Sequence, residues 1–318
     1  MTLEMKMGRS TRDAYGDALV EIGKSNPNVV VLDADLATST RTAKFAKTFP
    51  DRFFNCGIAE ANMVGIAGGL AACGKIPFVS SFACFLMCKG YDQMRMCVAF
   101  PEANVKIVPS HGGIVTGEDG VSQQSVEDVA LAASLPGVTV IVPSDEISAG
   151  ALIKEAAETP GPFYIRTGRP KSPVLYGTDQ KFKVGKAIQL RKGKDISILA
   201  MGCIVAEAMI AAAQLEKEGI SAAVWDHHTV KPIDREAVCT AVRETGALVS
   251  AEEHQIWGGL GSTISRIVAE ECPAPMGFVA IQDTYATSGT AEELLDKYGL
   301  SAPHIVKCVK ETLRKKKK

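Results

Sequence analysis

The chain has 318 residues, of which 46% are hydrophobic and 22% charged, and its 35 basic and 36 acidic residues give a formal net charge of −1. This composition allows two well-buried domains, and the near-zero charge argues against a general nucleic-acid or membrane-surface binder. No apolar run approaches a membrane span, the first nine residues do not read as a signal peptide, and nine cysteines without a CxxC pair indicate reduced thiols in the cytoplasm.

The first half of the chain alternates helices with short apolar strands. Helical spacing of apolar residues predicts helices over 11–25, 41–47, 57–70, 83–99, 121–134 and 145–158. Apolar runs predict strands over 29–32, 76–79, 105–108, 138–142 and 163–166. This alternation predicts a parallel sheet that is covered by helices on both faces.

The second half repeats the alternation after a segment, 171–195, that is rich in Pro, Gly, Lys and Asp and predicts a linker. Strands are expected over 196–200, 222–225, 247–250 and 278–281, and helices over 204–217, 234–243, 260–270 and from 292 onward; the lysines at 315–318 predict a solvated tail. The fold class is therefore α/β, with two consecutive three-layer α/β/α domains over 1–180 and 190–318. Without a GxGxxG fingerprint, the second domain is expected to serve packing and dimerisation, and a nucleotide-binding dehydrogenase is disfavoured.

Polar residues follow several predicted strands of the first domain. In parallel sheets, ligands bind outside the carboxyl ends of the strands. The residues found there are Asp35, Ser39, Phe82, His111, Asp119 and Arg169. Four polar loops that meet at the same edge predict a binding site.

Glu60 is the single carboxylate of the stretch Gly57–Met63. One interpretation is that it lies in the first turn of a helix, where the helix dipole favours a negative charge. The other is a chemical role. Elsewhere, His254 beside two glutamates and the pair His227–His228 lack a third ligand at suitable spacing, so a metal site in this chain is not expected.

The order of several motifs resembles the C-terminal half of transketolases. These are TRDAYGDAL (11–19), GIAEANM (57–63), SFACF (81–85), YDQMR (91–95), GEDG (117–120), RTGRP (166–170), HHTVKPID (227–234) and EEHQIWGGLG (252–261). The likeness covers nearly the whole chain and implies a pyrimidine-binding domain, a C-terminal domain and the use of thiamine diphosphate. The GDG motif of the family's diphosphate- and metal-binding domain does not occur here. The resemblance therefore implies one half of a split enzyme, whose separate N-terminal subunit would carry the divalent metal (Mg²⁺ or Ca²⁺) within an α2β2 heterotetramer.

The resemblance assigns Glu60, Phe82, Phe85 and Asp35 to the cofactor. A carboxylate bonded to a ring nitrogen of the aminopyrimidine favours the tautomer that can take the proton from C2 of the thiazolium, and an apolar, glycine-rich setting suits Glu60 to this role. Phe82 and Phe85 can stack on the pyrimidine, with core packing as the alternative. Asp35 matches an acidic residue near the thiazolium, with helix capping as its alternative. Cys88 stands where the family commonly has a larger residue.

The resemblance also implies that a two-carbon ketol unit passes from a ketose phosphate to an aldose phosphate. The family's phosphate-binding positions are matched by Arg12, Ser39, His111 and Arg169, and a guanidinium can donate two parallel hydrogen bonds to phosphate. Asp119 matches the residue that contacts the C2 hydroxyl of the sugar. Gln123 stands where microbial enzymes have His and animal enzymes have Gln. Because Gln cannot shuttle a proton, acid–base work would fall to His111 or to the partner subunit.

Three alternatives remain at this stage. Two share the cofactor: the beta subunit of a 2-oxo acid dehydrogenase, and deoxyxylulose-phosphate synthase. The third is a non-catalytic subunit that keeps the fold. The stretch 111–120 and the motif RTGRP favour transketolase over the first two, and the presence of Glu60, Asp119 and Arg169 argues against the third. Strand alternation directs Arg166 away from this edge, so it is not included in the site.

Overall fold

The computed structural model describes residues 5–316 and contains two sheets flanked by helices. The strands are β1 (Val29–Asp33), β2 (Phe53–Asn55), β3 (Ile76–Ser80), β4 (Lys106–Ile107), β5 (Thr139–Ile141), β6 (Phe163–Ile165), β7 (Ile188–Arg191), β8 (Ile196–Ala200), β9 (Ala222–Asp226), β10 (Thr229–Lys231), β11 (Leu248–Gln255) and β12 (Met276–Ile281). The helices are α1 (Thr11–Ser25), α2 (Ala37–Thr40), α3 (Ala43–Thr48), α4 (Glu60–Ala72), α5 (Ala83–Lys89), α6 (Tyr91–Gln93), α7 (Asp128–Ser134), α8 (Glu146–Glu158), α9 (Ile204–Lys217), α10 (Arg235–Thr245), α11 (Leu260–Glu271), α12 (Ala291–Lys297) and α13 (Ala302–Lys316). A π-helical turn spans Met94–Ala99, and 3₁₀ turns span Pro50–Arg52 and Gly117–Asp119.

Both sheets are mainly parallel. In the first sheet the strand order is β10-β5-β6-β4-β3-β1-β2, with β10 antiparallel to β5. In the second sheet the order is β12-β11-β8-β9-β7, with β7 antiparallel to β9. All five residues of β1 and all five of β8 are buried, as expected for strands that helices cover on both faces. The predicted fold class, two α/β units with mainly parallel sheets, is confirmed.

Helix α1 shows how the local sequence produces this fold. The side chain of Ser10 accepts a hydrogen bond from the backbone N–H of Asp13 and so caps the start of the helix. One face of the helix is buried and includes Tyr15, Leu19 and Ile22. This packing fixes the first turn of α1, which carries Arg12, next to the carboxyl ends of the first sheet.

The two halves of the chain are joined by a strand pairing and by a common cluster of buried apolar side chains. Strand β10 comes from the C-terminal half but pairs with β5 of the first sheet. One cluster of buried apolar side chains includes Leu32 and Val140 from the first sheet and Leu199 and Leu248 from the second. The loops at the carboxyl edge of the first sheet are therefore supported from both sides.

Two helix predictions are wrong in the first half. The helix expected over 83–99 is broken: α5 ends before Gly90, and α6 and the π-helical turn follow it. A Cβ at Gly90 would lie 3.0 Å from the Leu86 carbonyl oxygen and 3.2 Å from the Val64 side chain, so glycine allows this close approach to α4 without displacing either neighbour. The helix expected over 121–134 begins at Asp128, because Ser125 instead forms a β-bridge with Gly113.

Predictions for the second half need three corrections. The segment expected to be a linker contains β7, which completes the edge of the second sheet. The last expected helix is two helices, α12 and α13. Of the four lysines expected in a solvated tail, Lys315 and Lys316 are helical, Lys316 donates hydrogen bonds to the carbonyl oxygens of Asp195 and Thr245, and the last two lie outside the described residues. None of the helices within 5–316 is long and apolar enough to cross a membrane.

Candidate functional site

Glu60 is a buried carboxylate at the start of α4. Its exposed fraction is 3%, and within residues 5–316 its oxygens accept no hydrogen bond. The one cation within 4.0 Å of it in this range is Lys89, whose Nζ lies 3.9 Å from Oε1. Glu60 does occupy the first helical turn, as the dipole interpretation requires. Because no donor of the described residues occupies this carboxylate, it is free to accept a hydrogen bond from a bound molecule.

Aromatic rings lie in a row beside Glu60. Phe82 precedes α5 and is 7% exposed, and its ring stacks on that of Phe85 with centroids 5.5 Å apart and an interplanar angle of 20°. On its other side, the centroid of Phe82 is 3.8 Å from that of His111. The Lys89 ammonium lies 4.6 Å from the centroid of Phe85, in reach of a cation–π contact. Lys89 was missed from the sequence, although its spacing of four from Phe85 places both on one helical face.

His111 links the aromatic row to a group of arginines. It is 2% exposed and has a φ of +61°, and its Nδ1 lies 2.7 Å from the Ser110 hydroxyl. Its Nε2 lies 3.5 Å from Nη1 of Arg12, and because a guanidinium only donates, Nε2 is the acceptor and Nδ1 carries the proton. Burial, followed by the positive charges of Arg12, Arg169 and Arg41, lowers the pKa of His111 to about 3. The imidazole is therefore neutral at physiological pH.

Two arginines from distant parts of the chain point to this place. Nη1 of Arg12 donates to the carbonyl oxygen of Ser39 at 2.9 Å. Nη1 of Arg169 lies 2.8 Å from Oε2 of Glu118 and 3.9 Å from Oδ1 of Asp119. Burial, followed by repulsion from Arg41, lowers the pKa of Arg12, and Arg169 acts in the same direction. Such a concentration of positive charge favours the binding of an anion.

Asp35 stands apart from these groups. It is exposed, has a φ of +63° and accepts a hydrogen bond from Nδ2 of Asn55 at 2.9 Å. The alternative interpretation as a helix cap is not confirmed, because the N-cap of α2 is Leu36 and no side chain caps it. The sequence analysis missed the neighbouring carboxylate of Asp33. Asp33 is fully buried and accepts hydrogen bonds from the Leu36 backbone N–H at 2.6 Å and from the hydroxyls of Thr40 and Thr42 at 2.7 and 2.8 Å. Asp33 thereby holds the loop that carries Asp35 and Ser39.

The remaining expected site residues lie at the margin of the candidate site. Asp119 has a side chain that is 35% exposed and faces Arg169. The amide oxygen of Gln123 accepts a hydrogen bond from the hydroxyl of Ser122, and no contact joins Gln123 to the arginines within the described residues. Cys88 is exposed, with its Sγ 4.0 Å from Oε1 of Glu127. Contacts thus join Glu60, through Lys89, to Phe85, Phe82, His111, Arg12 and Ser39. Arg169, which faces Asp119, is near enough for its charge to lower the pKa of His111, whereas Asp35 and Gln123 have no contact with this group among the described residues.

Other buried ionic groups have structural partners. Glu252 accepts hydrogen bonds from two backbone N–H groups at the start of α11, and Glu253 accepts one from Val115 at 2.7 Å. His254 accepts one from the backbone N–H of Ala130 through Nε2 at 3.2 Å. Arg166 lies 3.2 Å from the carboxylate of Asp128. The contacts of Glu253 and His254 join the two halves of the chain, and Arg166 stays outside the candidate site.

A cavity of about 240 Å³ lies between the two sheets, lined by Thr11, Arg166, Gly168, Cys203 and Glu253 among others. None of the expected site residues lines it. It occupies the junction of the two halves, behind the edge that carries the arginines. The candidate site therefore lies outside this cavity.

Two family models together span most of the chain: the transketolase pyrimidine-binding domain matches residues 7–174, and the transketolase C-terminal domain matches residues 185–305. The chain belongs to the transketolase family. It is 42% identical to a putative transketolase C-terminal section of Methanocaldococcus jannaschii, over 96% of this chain and 97% of that one.

Two further relatives are similar over a comparable length. The 6-deoxy-6-sulfo-D-fructose transketolase subunit SqwH of Clostridium sp. is 40% identical over 96% of this chain and 95% of that protein. Among solved structures, a split gene transketolase, described as an inactive beta4 tetramer, is 46% identical with a TM-score of 0.91 and covers 96% of this chain and 99% of that one. The resemblance inferred from the motifs is confirmed: the chain corresponds to the C-terminal subunit of a split transketolase.

Transketolases depend on thiamine diphosphate, and the side chains around Glu60 fit the pyrimidine end of that cofactor. Whether the cofactor fits depends first on the Glu60 carboxylate, which is buried and has no hydrogen-bond donor in residues 5–316. A ring nitrogen that carries or shares a proton would supply the missing donor. The stacked rings of Phe82 and Phe85 supply the apolar face that a heteroaromatic ring needs.

Proposed function

We propose that this chain is the C-terminal subunit of a split, thiamine-diphosphate-dependent transketolase that transfers a two-carbon ketol unit from a ketose phosphate to an aldose phosphate. Residues 1–180 would form its pyrimidine-binding domain and 190–318 its C-terminal domain. The observation that carries the proposal is the buried, donor-free carboxylate of Glu60 beside the stacked rings of Phe82 and Phe85. Nine free thiols and a near-neutral charge suit a cytoplasmic enzyme.

Glu60, Phe82, Phe85 and Asp35 would hold the cofactor. When bound, thiamine diphosphate supplies the electron sink that allows a carbon–carbon bond next to a carbonyl to break. Glu60 would share the proton of a pyrimidine ring nitrogen, because its carboxylate is largely buried and has no other hydrogen-bond donor among the described residues. Phe82 and Phe85 would fix the plane of the ring, and Asp35, on its strained loop, would approach the thiazolium side.

The arginine end of the row would bind the substrate phosphate. Arg12 and Arg169 are each anchored through Nη1, which leaves the other edge of each guanidinium to donate to phosphate oxygens. The neutral imidazole of His111 accepts from Arg12 and so orients it. Binding the phosphate far from the reacting carbons holds the sugar in place for the reaction, which lowers the entropic part of the barrier. Ser39, Asp119 and Gln123 would contact the sugar phosphate and its hydroxyls.

The diphosphate and its divalent metal, Mg²⁺ or Ca²⁺, would be held by a separate N-terminal subunit in an α2β2 heterotetramer. Large apolar side chains are exposed around α4, where a partner would have to cover Glu60: Phe54 is 42% exposed, Ile58 78%, Ile66 39% and Phe100 79%. An apolar surface of this kind next to a half-site is typical of a subunit interface. The relative described as an inactive beta4 tetramer is an assembly of the corresponding chain alone.

The test combines the purified chain with a GDG-containing N-terminal subunit, thiamine diphosphate and Mg²⁺, and measures ketol transfer from xylulose 5-phosphate. We expect turnover from the mixture and none from either chain alone. Turnover by this chain in isolation would contradict the split-enzyme proposal. Decarboxylation of a 2-oxo acid without ketol transfer would favour the dehydrogenase alternative instead.

Glu60→Gln tests the residue that carries the proposal. An amide keeps the shape of the side chain but cannot accept the proton, so we expect a loss of turnover of about 10²-fold or more with unchanged assembly by size-exclusion chromatography. Glu21→Gln is the matched control, because Glu21 is an exposed surface glutamate that pairs with Lys154. Turnover of Glu60→Gln close to that of the control would remove Glu60 from catalysis.

A further inference from the structure

Arg41 is a third arginine at the anion-binding end that no motif or family position assigns. It follows α2 directly and has a φ of +72°, in the left-handed region that only a few non-glycine residues adopt. Its Nη1 donates to the carbonyl oxygen of Thr38 at 3.1 Å, while Arg12 donates to the next carbonyl, that of Ser39, at 2.9 Å. Two guanidiniums are therefore fixed side by side on one short turn.

The acidic residues near these arginines lie at Nε of Arg41 and at Nη1 of Arg169. Asp13 lies 2.7 Å from Nε of Arg41, and Arg169 is held by Glu118 and Asp119, whereas Arg12 has no carboxylate within 4.0 Å in residues 5–316. In the same range, Nη2 of all three arginines has no hydrogen-bond partner. The positive charge of Arg41 also acts on Arg12 and His111, because it contributes to lowering the pKa of both.

We propose that Arg41 is a specificity-determining residue, which together with Arg12 and Arg169 selects sugars that carry a dianionic phosphate over sugars that carry a monoanionic sulfonate. The proposal rests on the proposed function and names its preferred substrate class. A phosphate monoester carries a charge of about −2 above pH 7, and a sulfonate carries one negative charge. The distinction matters because one relative, 40% identical, is named as a transketolase subunit for 6-deoxy-6-sulfo-D-fructose.

The proposal predicts how the effect of a substitution scales with charge. The Coulomb energy between Arg41 and the anion is proportional to the charge of the anion. One charge-assisted contact predicts that Arg41→Gln weakens the binding of a dianion by about tenfold. A monoanion loses half of that energy, so its binding is weakened by about threefold. An unphosphorylated sugar should be unaffected. In the assembled enzyme, the loss of affinity should appear as a higher KM for the ketose phosphate. The value of kcat should change by less than about twofold, because the anion is far from the reacting carbons.

A pair of variants separates charge from structure. Arg41→Gln and Asp13→Asn both break the same ion pair, so a structural effect would weaken anion binding in both. An electrostatic effect has opposite signs: the first variant removes a positive charge and weakens binding, and the second removes a negative charge and strengthens it. Arg41→Lys should restore part of the affinity. Arg235→Gln is the distant control, since Arg235 forms surface ion pairs with Glu270 and Glu271.

The deciding experiment titrates the full chain alone with inorganic phosphate and with methanesulfonate at pH 7.5 and follows binding by NMR chemical shifts. We expect Arg41→Gln to lose about tenfold for phosphate and about threefold for methanesulfonate, and Asp13→Asn to gain affinity for both. Equal losses for the two anions, no loss, or a loss in Asp13→Asn would overturn the proposal. Because this measurement needs neither cofactor nor partner, its result stands whether or not ketol transfer is observed in the assembled enzyme.

Discussion

Replacing Arg166 by Met should destabilise the chain severely, although Arg166 is outside the candidate site. Its side chain is 4% exposed, with Nε 3.2 Å from Oδ2 of the fully buried Asp128. It donates to the carbonyl oxygens of Glu253 at 2.8 Å and Ser125 at 3.0 Å. Removing one partner of a buried ion pair leaves the other charge without compensation, which costs about 3–5 kcal/mol. In a chain of this length, that corresponds to a fall in Tm of roughly 5–10 °C.

The substitution should also disturb the loop that carries His111. A Cβ at Gly112 would lie only 2.0 Å from Nε of Arg166, so the guanidinium packs directly under that loop. The measurement is urea unfolding of the full chain followed by circular dichroism. Arg191→Met is the matched control: Arg191 pairs with Glu216, whose side chain is 67% exposed, and such a surface pair is worth about 1 kcal/mol or less.

A double variant checks the cause. Arg166→Met combined with Asp128→Asn removes both charges and keeps an oxygen that can accept the hydrogen bond of Tyr164, which the Asp128 carboxylate accepts at 2.7 Å. We expect the double variant to recover at least 1 kcal/mol relative to Arg166→Met, because the uncompensated charge is gone. A single variant within 1 kcal/mol of the wild type, or a double variant less stable than the single one, would refute this reasoning.

Two other predictions concern buried groups elsewhere. Burial lowers the pKa of Lys106 from 10.5 to about 7, so between these values the unfolded chain binds more protons and the free energy of unfolding rises with pH. Urea unfolding of Lys106→Met at pH 7 and pH 9.5 should lack this rise, and an unchanged slope would contradict the assignment. Cys239 and Cys272 have sulfurs 3.1 Å apart, so hydrogen peroxide should join them in a disulfide with release of two waters. Peptide mapping after oxidation should then find Cys239 linked to Cys272, and Cys239→Ser should lack that link; absence of the link in the wild type would exclude this pairing.

The convergence of the site was predictable because it depends on one rule of parallel sheets. The loops that carry Arg169, His111, Phe82 and Asp35 follow β6, β4, β3 and β1, and these four strands are consecutive neighbours in the first sheet. Apolar runs were enough to place the strands, and their common direction brings the loops to one edge. The order of the strands in the sheet was not needed for that inference.

The errors arose where distant contacts override local patterns. The segment before α7 lies within the predicted helix, yet Ser125 pairs with Gly113 and the amide nitrogen of Gln124 donates to the carbonyl oxygens of Ile114 and Thr287. Strand β10 has three residues and gains its partner, β5, from the other half of the chain. Neither partner is within reach of a sequence window, so periodicity could not reveal either element.

Backbone conformation gives a second, independent argument for the candidate site. Among the described residues, five that are not glycine have a positive φ: Asp35, Arg41, Glu102, His111 and Asp283. Three of these five, Asp35, Arg41 and His111, belong to the loops at the carboxyl edge of the first sheet. Such conformations cost about 1–3 kcal/mol each and persist only where surrounding contacts impose them. Asp33 holds the loop of Asp35, Asp13 holds Arg41, and Ser110 holds the imidazole of His111. The strain therefore coincides with the side chains that would meet the cofactor and the anion, which supports the site independently of any motif.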